Sequence, residues 1–250
     1  HVYRCGLMEE RDRMKTRPDL PRREAWTVVP APQTWCELSP EDARAHILGG
    51  GSCLITGPAG SGKSTMVASI IRELRDVKQV ALISKTHVAS QNMQQALESA
   101  LGGERVEDSK ASTADAWTRR NVIHGTFSGA IWLDEWTTLD MMQYCLLNAL
   151  TFNGCQFVVS GDQNQMGACF STFRGVPVDS DAIGQSPFFH ALCGGHMCRL
   201  TECKRSDQNL FCWYTSLAEG GSRHAFPVPE QVCQARLAFP ARGRARWHTF

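Results

Sequence analysis

The chain has 250 residues, 42% hydrophobic and 20% charged, with a formal net charge of +1. That is enough chain for a sizeable core, and the near-neutral balance excludes a global pull toward nucleic acid or membrane. Any such contact must come from local patches. No apolar run has the length of a membrane span and no secretory pattern opens the chain. The expectation is an intracellular protein, nuclear or cytoplasmic, without a membrane partner. Because the first residue is His1 rather than Met, a fragment or processed product is also expected.

The eleven cysteines include no C-x-x-C pair, which argues against a zinc site or a disulfide framework. Their densest group is Cys193, Cys198, Cys203 and Cys212, with His196 among them. These are expected to be small reduced thiols in a helix–strand–helix stretch, again fitting an intracellular compartment.

Residues 1–35, with "MEERDRMKTRPDLPRREAW", are rich in Arg, Glu and Pro and lack a sustained apolar period. They read as an extension or linker. "LSPEDARAHILGG" then predicts a capped helix: Ser39 as N-cap, Pro40 first, Asp42 third, and Gly49-Gly50 beyond the end. From there short apolar runs alternate with helical stretches. "SCLIT", "QVALIS", "AIWLDE" and "CQFVVSG" read as buried strands. Lys63 to Arg75, His87 to Leu101, Ser112 to Arg120 and Leu139 to Leu150 read as helices, with "CRLTE" a further strand and "DQNLFCWYTSLAE" a further helix. Such alternation predicts an α/β domain over residues 36–220, a parallel sheet with helices on both faces. Residues 221–250, with "ARGRARW", read as a basic tail.

"GPAGSGKST" fits G-x-x-x-x-G-K-[ST] in full, with a strand before it and a helix after it. Gly57, Pro58, Ala59, Gly60, Ser61, Gly62, Lys63, Ser64 and Thr65 therefore make a loop that cradles nucleotide phosphates. The glycines let backbone N–H groups and the helix N-terminus face negative charge. Lys63 is expected to reach the β/γ-phosphates and Ser64 to ligate Mg²⁺. "IWLDEW" ends a strand in Asp134 and Glu135 at the carboxyl edge of the sheet, where open α/β sheets bind ligands. Asp134 is expected to hold the Mg²⁺. Glu135 is expected to deprotonate the attacking water, which makes the protein a hydrolase. In "VVSGDQNQMG" a third strand ends at Gly161-Asp162, and the amide of Gln165 is placed to touch the γ-phosphate or the water.

The order GPAGSGKST, LDE, GDQNQ and "LTECKRSD" resembles the first motor domain of superfamily 1 helicases, in the RecD/PIF-type branch and its relatives in large DNA viruses and mobile elements. The resemblance covers about residues 36–218. It implies a P-loop NTPase of RecA-like fold, with ATP as nucleotide. It also implies translocation along single-stranded DNA, 5′ to 3′ in this branch. Gln165 matches the glutamine of the family's G-D-x-x-Q motif. Arg205 matches an arginine that approaches the γ-phosphate, where a fixed guanidinium stabilises transferring charge. "ISKTHVASQNM", with Thr86 and His87, and "ASTADAW", with Thr113, Asp115 and Trp117, resemble the strand-tracking motifs, Trp117 as a base-stacking ring or else a core residue.

Two departures stand out. Met166-Gly167-Ala168 replaces the family's proline pair, and Asp42 stands where the adenine-reading glutamine is expected. Too little chain follows the last family-like helix for a second RecA-like lobe. That lobe is expected from a longer chain or from another polypeptide. Two other functions share the motif set: an RNA helicase of the viral-replicase type, and an ATP-binding switch domain without helicase activity.

Overall fold

A computed structural model describes residues 33–104, 111–122, 127–151, 154–165, 167–168, 172–173, 176–178, 180–206 and 208–219, with Cys233 and Leu237, all within the unit Pro32–Phe250. Residues 1–32 of the extension expected over 1–35 and, those two residues aside, the tail from 221 onward lie outside the described residues.

In chain order the elements are β1 (Cys36–Glu37), α1 (Pro40–Leu48), β2 (Cys53–Thr56), α2 (Lys63–Leu74), β3 (Val80–Ser84), α3 (His87–Ala100), β4 (Ser112–Thr113) and α4 (Ala114–Asn121). Then come β5 (Ala130–Leu133), a 3-10 turn (Trp136–Thr138), α5 (Met141–Thr151), β6 (Gln156–Gly161), β7 (Thr172–Phe173) and β8 (Val176–Pro177). The last are α6 (Ser180–Gly184), α7 (Pro187–Leu192), β9 (His196–Arg199) and α8 (Gln208–Glu219).

Seven strands form one sheet in the order β1-β9-β2-β6-β5-β3-β4, with every pairing parallel. β7 and β8 make a separate antiparallel ribbon. The central strands are buried along their whole length, because helices cover both faces. Alternate residues feed two cores. Ile55, Leu82, Trp132 and Val158 pack with Ile47 of α1, Ile70 and Leu74 of α2, and Met93 of α3. Leu54, Ile83, Leu133 and Val159 pack with Trp117 of α4, Tyr144 of α5 and Phe189 of α7. The α/β architecture expected from the alternation is the one observed.

Three boundaries differ from expectation. Ser112 and Thr113 are not helical: they pair with Ile83 and Ser84, and the helix starts only at Ala114. Leu139 is extended (φ −73°, ψ 142°), and α5 begins after Asp140, whose carboxylate accepts from the Gln143 N–H at 2.9 Å. The last strand, His196–Arg199, starts two residues before "CRLTE" and ends three residues before its end. There Met197, Cys198 and Arg199 stand opposite Leu54, Ile55 and Thr56, and the chain then folds over the loop after β2. α1 follows its caps: the Ser39 hydroxyl accepts from the Asp42 N–H at 3.1 Å and donates to the Asp42 carboxylate at 2.7 Å. Asp42 is thus engaged with the side chain of its own N-cap.

The four clustered cysteines are free thiols on separate parts of the fold. Cys193 and Cys198 are buried in the two different cores, Cys203 is half-buried and Cys212 exposed. Among the described residues no helix is long and apolar enough to cross a membrane.

Candidate nucleotide site

β2 lies between β9 and β6, and β5 flanks β6. The carboxyl tips of these strands therefore converge on the loop that joins β2 to α2. Gly57 has φ +154°, and a Cβ there would stand 2.4 Å from the Leu200 carbonyl oxygen. Gly62 is the N-cap of α2 in the left-handed region (φ 89°, ψ 16°), and no side chain caps the helix. The first-turn amides of α2 are thereby left to a ligand, and they carry the positive end of the helix dipole. The Ser61 hydroxyl of this loop is buried and has no hydrogen-bond partner among the described residues.

The Lys63 ammonium folds back onto its own loop, donating to the carbonyls of Gly57 at 2.7 Å and Pro58 at 2.9 Å. Burial lowers its pKa below the ordinary lysine value, Asp162 and Asp134 oppose that shift, and Arg205 adds to it. Asp134 follows β5. Its carboxyl is pushed up chiefly by burial, against the hydrogen bond from Ser160 and the charge of Lys63. Glu135 is the only non-glycine with positive φ among the described residues (φ 53°), and its pKa is raised by burial and then by Asp134. Its carbonyl accepts from the Thr138 hydroxyl at 2.7 Å and N–H at 2.9 Å, which holds the turn. Beyond β6, the Asp162 carboxylate accepts from the Asn164 N–H at 2.9 Å and its carbonyl from the Gln165 N–H at 3.1 Å. This tight turn presents Gln165.

One cleft of about 560 Å³ gathers Ala59, Gly60, Gly62, Lys63, Ser64, Thr65, Asp134, Glu135, Gln165 and Arg205. Gly57 and Pro58 lie on the other side of the loop, lining a second hollow of about 320 Å³. For a divalent cation the cleft offers the Ser64 hydroxyl and the Asp134 carboxylate. For phosphate it offers free amides and three cations. The uncapped first turn of α2, with Lys63, Ser64, Asp134, Lys204 and Arg205 around the cleft, fits a metal–nucleotide.

The third cation, Lys204, was not foreseen. Its side chain lies against the helix cap: a Cβ at Gly62 would be 3.1 Å from Lys204 Cδ. Its backbone N–H donates to the Gly60 carbonyl at 2.9 Å, and the Tyr214 hydroxyl donates to the Ala59 carbonyl at 2.8 Å. Together they clamp the loop from outside. Asn92, Gln95 and Ser99 of α3 complete the wall. A Lys next to Arg205 was the one visible signal; the tyrosine reaches the loop, and the α3 face the cleft, only through folding.

The strand-tracking residues lie apart from this cleft, at the next two strand-to-helix turns. Thr86 and His87 are exposed, and the Thr86 hydroxyl accepts from the Ala89 N–H at 3.1 Å as N-cap of α3. Thr113 caps α4, accepting from the Ala116 N–H at 3.4 Å. Asp115 accepts from the Gln143 amide at 2.7 Å. Of the two readings of Trp117, base-stacking ring or core residue, the structure shows the core residue: it is 8% exposed and packs edge-on against Phe127, with centroids 5.1 Å apart. A ring in the core has no face to offer a base.

A parallel sheet with a glycine-shaped loop at the tip of β2 and an acidic pair at the tip of β5 defines a P-loop NTPase of RecA-like fold. Residues 41–171 match the family described as AAA domain, just over half of the chain, and the chain belongs to that family. It is 29% identical over 145 residues to a protein named ATP-dependent DNA helicase PIF5 from Trypanosoma brucei brucei (strain 927/4 GUTat10.1). That match covers 52% of this chain and 16% of the relative. The fold is that of the Pif1 helicase from Candida albicans, whose crystal structure it resembles with a TM-score of 0.57 and 22% identity, over 82% of this chain and 48% of that one. The chain thus spans about half of that structure and a small part of the curated relative.

Proposed function

We propose that this chain is the ATP-binding and hydrolysing motor domain of a DNA helicase, with residues 36–220 as its first RecA-like lobe. Hydrolysis would be coupled to 5′-to-3′ movement along single-stranded DNA, with a second RecA-like lobe supplied in cis or in trans. The observation that carries this reading is the single cleft uniting Lys63, Ser64, Asp134, Glu135, Gln165 and Arg205. The likeness to a protein named a DNA helicase supports DNA over RNA.

Mg²⁺ would be held by Ser64 and Asp134, where it would supply neutralisation of phosphate charge. The amides from Gly60 to Thr65 bind the phosphates, and the Lys63 ammonium exchanges its two loop carbonyls for phosphate oxygens. Glu135 accepts the proton of the attacking water at its carboxylate, and burial makes that carboxylate a stronger base than an exposed one. The Gln165 amide orients the water. The Arg205 guanidinium, at the outer wall, stabilises charge on the transferring group. Thr86, His87 and Thr113 present hydroxyl and imidazole groups to the DNA backbone, the threonines through the O–H left over after capping.

Phosphate release by the whole chain tests the chemistry. Glu135→Gln should bind ATP like the wild type and hydrolyse it at least ~100-fold more slowly. Equal rates would reduce Glu135 to a turn residue. Fluorescence anisotropy with single-stranded DNA and RNA oligonucleotides tests the partner, and a preference for RNA would overturn the DNA assignment.

A further inference from the structure

Behind Asp134 runs a two-step hydrogen-bond chain. The Trp132 indole N–H donates to Ser160 Oγ at 2.8 Å, and Ser160 Oγ donates to Asp134 Oδ1 at 2.5 Å. The three residues sit on or just beyond β5 and β6, which pair in parallel with Trp132 opposite Val158 and Leu133 opposite Val159. Trp132 and Ser160 are both fully buried.

The direction of the chain is forced. An indole N–H can only donate, so it takes a lone pair of the serine oxygen. An ionised Asp134 can only accept, so the second hydrogen bond runs from the serine O–H to Asp134 Oδ1. We infer that Ser160 is a positioning residue that fixes the rotamer of Asp134, and that Trp132 locks the serine hydroxyl in its donor role. Oδ1 is held by the chain, which leaves Oδ2 as the oxygen the chain does not engage. The lock is anchored in packing, because the Trp132 ring belongs to the core formed by α1, α2 and α3. Outer partners of this kind orient ligands and tune metal affinity. The inference rests on the reading of the cleft as a metal–nucleotide site.

The test is Mn²⁺ binding followed by electron paramagnetic resonance, with the whole chain and ADP present, beside ADP affinity without metal. Ser160→Ala should weaken Mn²⁺ binding ~10-fold and leave metal-free ADP affinity unchanged. Ser160→Thr, which keeps the hydroxyl, should retain most of the binding. Trp132→Phe keeps a ring, removes the N–H and should cause a smaller loss of the same kind; it carries the test if Ser160→Ala does not fold, which thermal melting reads. Asp134→Asn separates two failures. If it weakens Mn²⁺ binding while Ser160→Ala and Trp132→Phe leave it unchanged, the positioning role is overturned and the cleft stands. If Asp134→Asn also leaves Mn²⁺ binding unchanged, the site reading falls and takes this inference with it.

Discussion

Three strand-to-helix turns stand at the same edge of this sheet, and they are finished differently. The turns into α3 and α4 are capped by threonines, whose hydroxyls accept from Ala89 N–H and Ala116 N–H. The turn into α2 is capped by Gly62, with no side-chain acceptor. A capped turn has met part of its helix's demand for hydrogen bonds from within. An uncapped one leaves that demand to a ligand, and a helix N-terminus prefers an anion. The same local architecture thus yields a phosphate cradle at one place and self-contained turns with exposed side chains at the other two.

The largest effect should come from removing the cation of the uncapped turn. Lys63→Ala should weaken binding of a fluorescent ATP analogue by ~2–4 kcal/mol, the scale for losing a charge-assisted contact in a partly buried site. Gly57→Ala comes next. A Cβ 2.4 Å from the Leu200 carbonyl oxygen cannot be accommodated without backbone movement. Thermal or urea unfolding should show a loss of ~1–3 kcal/mol, together with weaker nucleotide binding.

The capped turns should respond in the opposite manner. Thr86→Ala should cost ~1 kcal/mol of stability with nucleotide affinity unchanged, and Thr86→Ser should restore it. Thr113→Ala should cost less, since its cap bond is longer, 3.4 Å against 3.1 Å. Loss of nucleotide affinity in either threonine variant would erase the distinction between the turns.

The smallest effect sharpens the picture of the outer clamp. Hydrogen bonding by Ser206 lowers the pKa of Cys203 below the ordinary thiol value. Burial raises Cys198, and pushes Cys53 up to about 12. The thiolate is the reactive form, so at a given pH below these values Cys203 holds more of it. Mass-spectrometric mapping of iodoacetamide labelling near neutral pH should find Cys203 alkylated first of the three. As pH rises, the gap should narrow only as the others begin to ionise.

The cradle and the acidic pair were legible because each is written in contiguous residues whose spacing is the mechanism: Gly57 to Thr65, and Asp134 beside Glu135. The sheet was legible for the same reason, since "VALIS" and "QFVVSG" are buried runs bounded by turns. What escaped is long-range. Lys204 reaches Gly60, and Tyr214 reaches Ala59, 155 residues away. Ser112 and Thr113 look like the start of a helix until β3 is there to pair with them. Trp117 fits a stacking platform by position, and only the packing of Phe127 against it shows a core ring. The link from Trp132 to Asp134 through Ser160 crosses two strands, and no local pattern announces it.

The difference between the turns can be observed directly in a ¹⁵N–¹H spectrum of the chain titrated with Mg²⁺ and a non-hydrolysable ATP analogue. The account predicts that the largest shifts fall on the amides from Gly60 to Thr65, while the capped amide of Ala116, which does not line the cleft, stays in place. Shifts centred on the threonine-capped turns, with the Gly60–Thr65 amides unmoved, would contradict it.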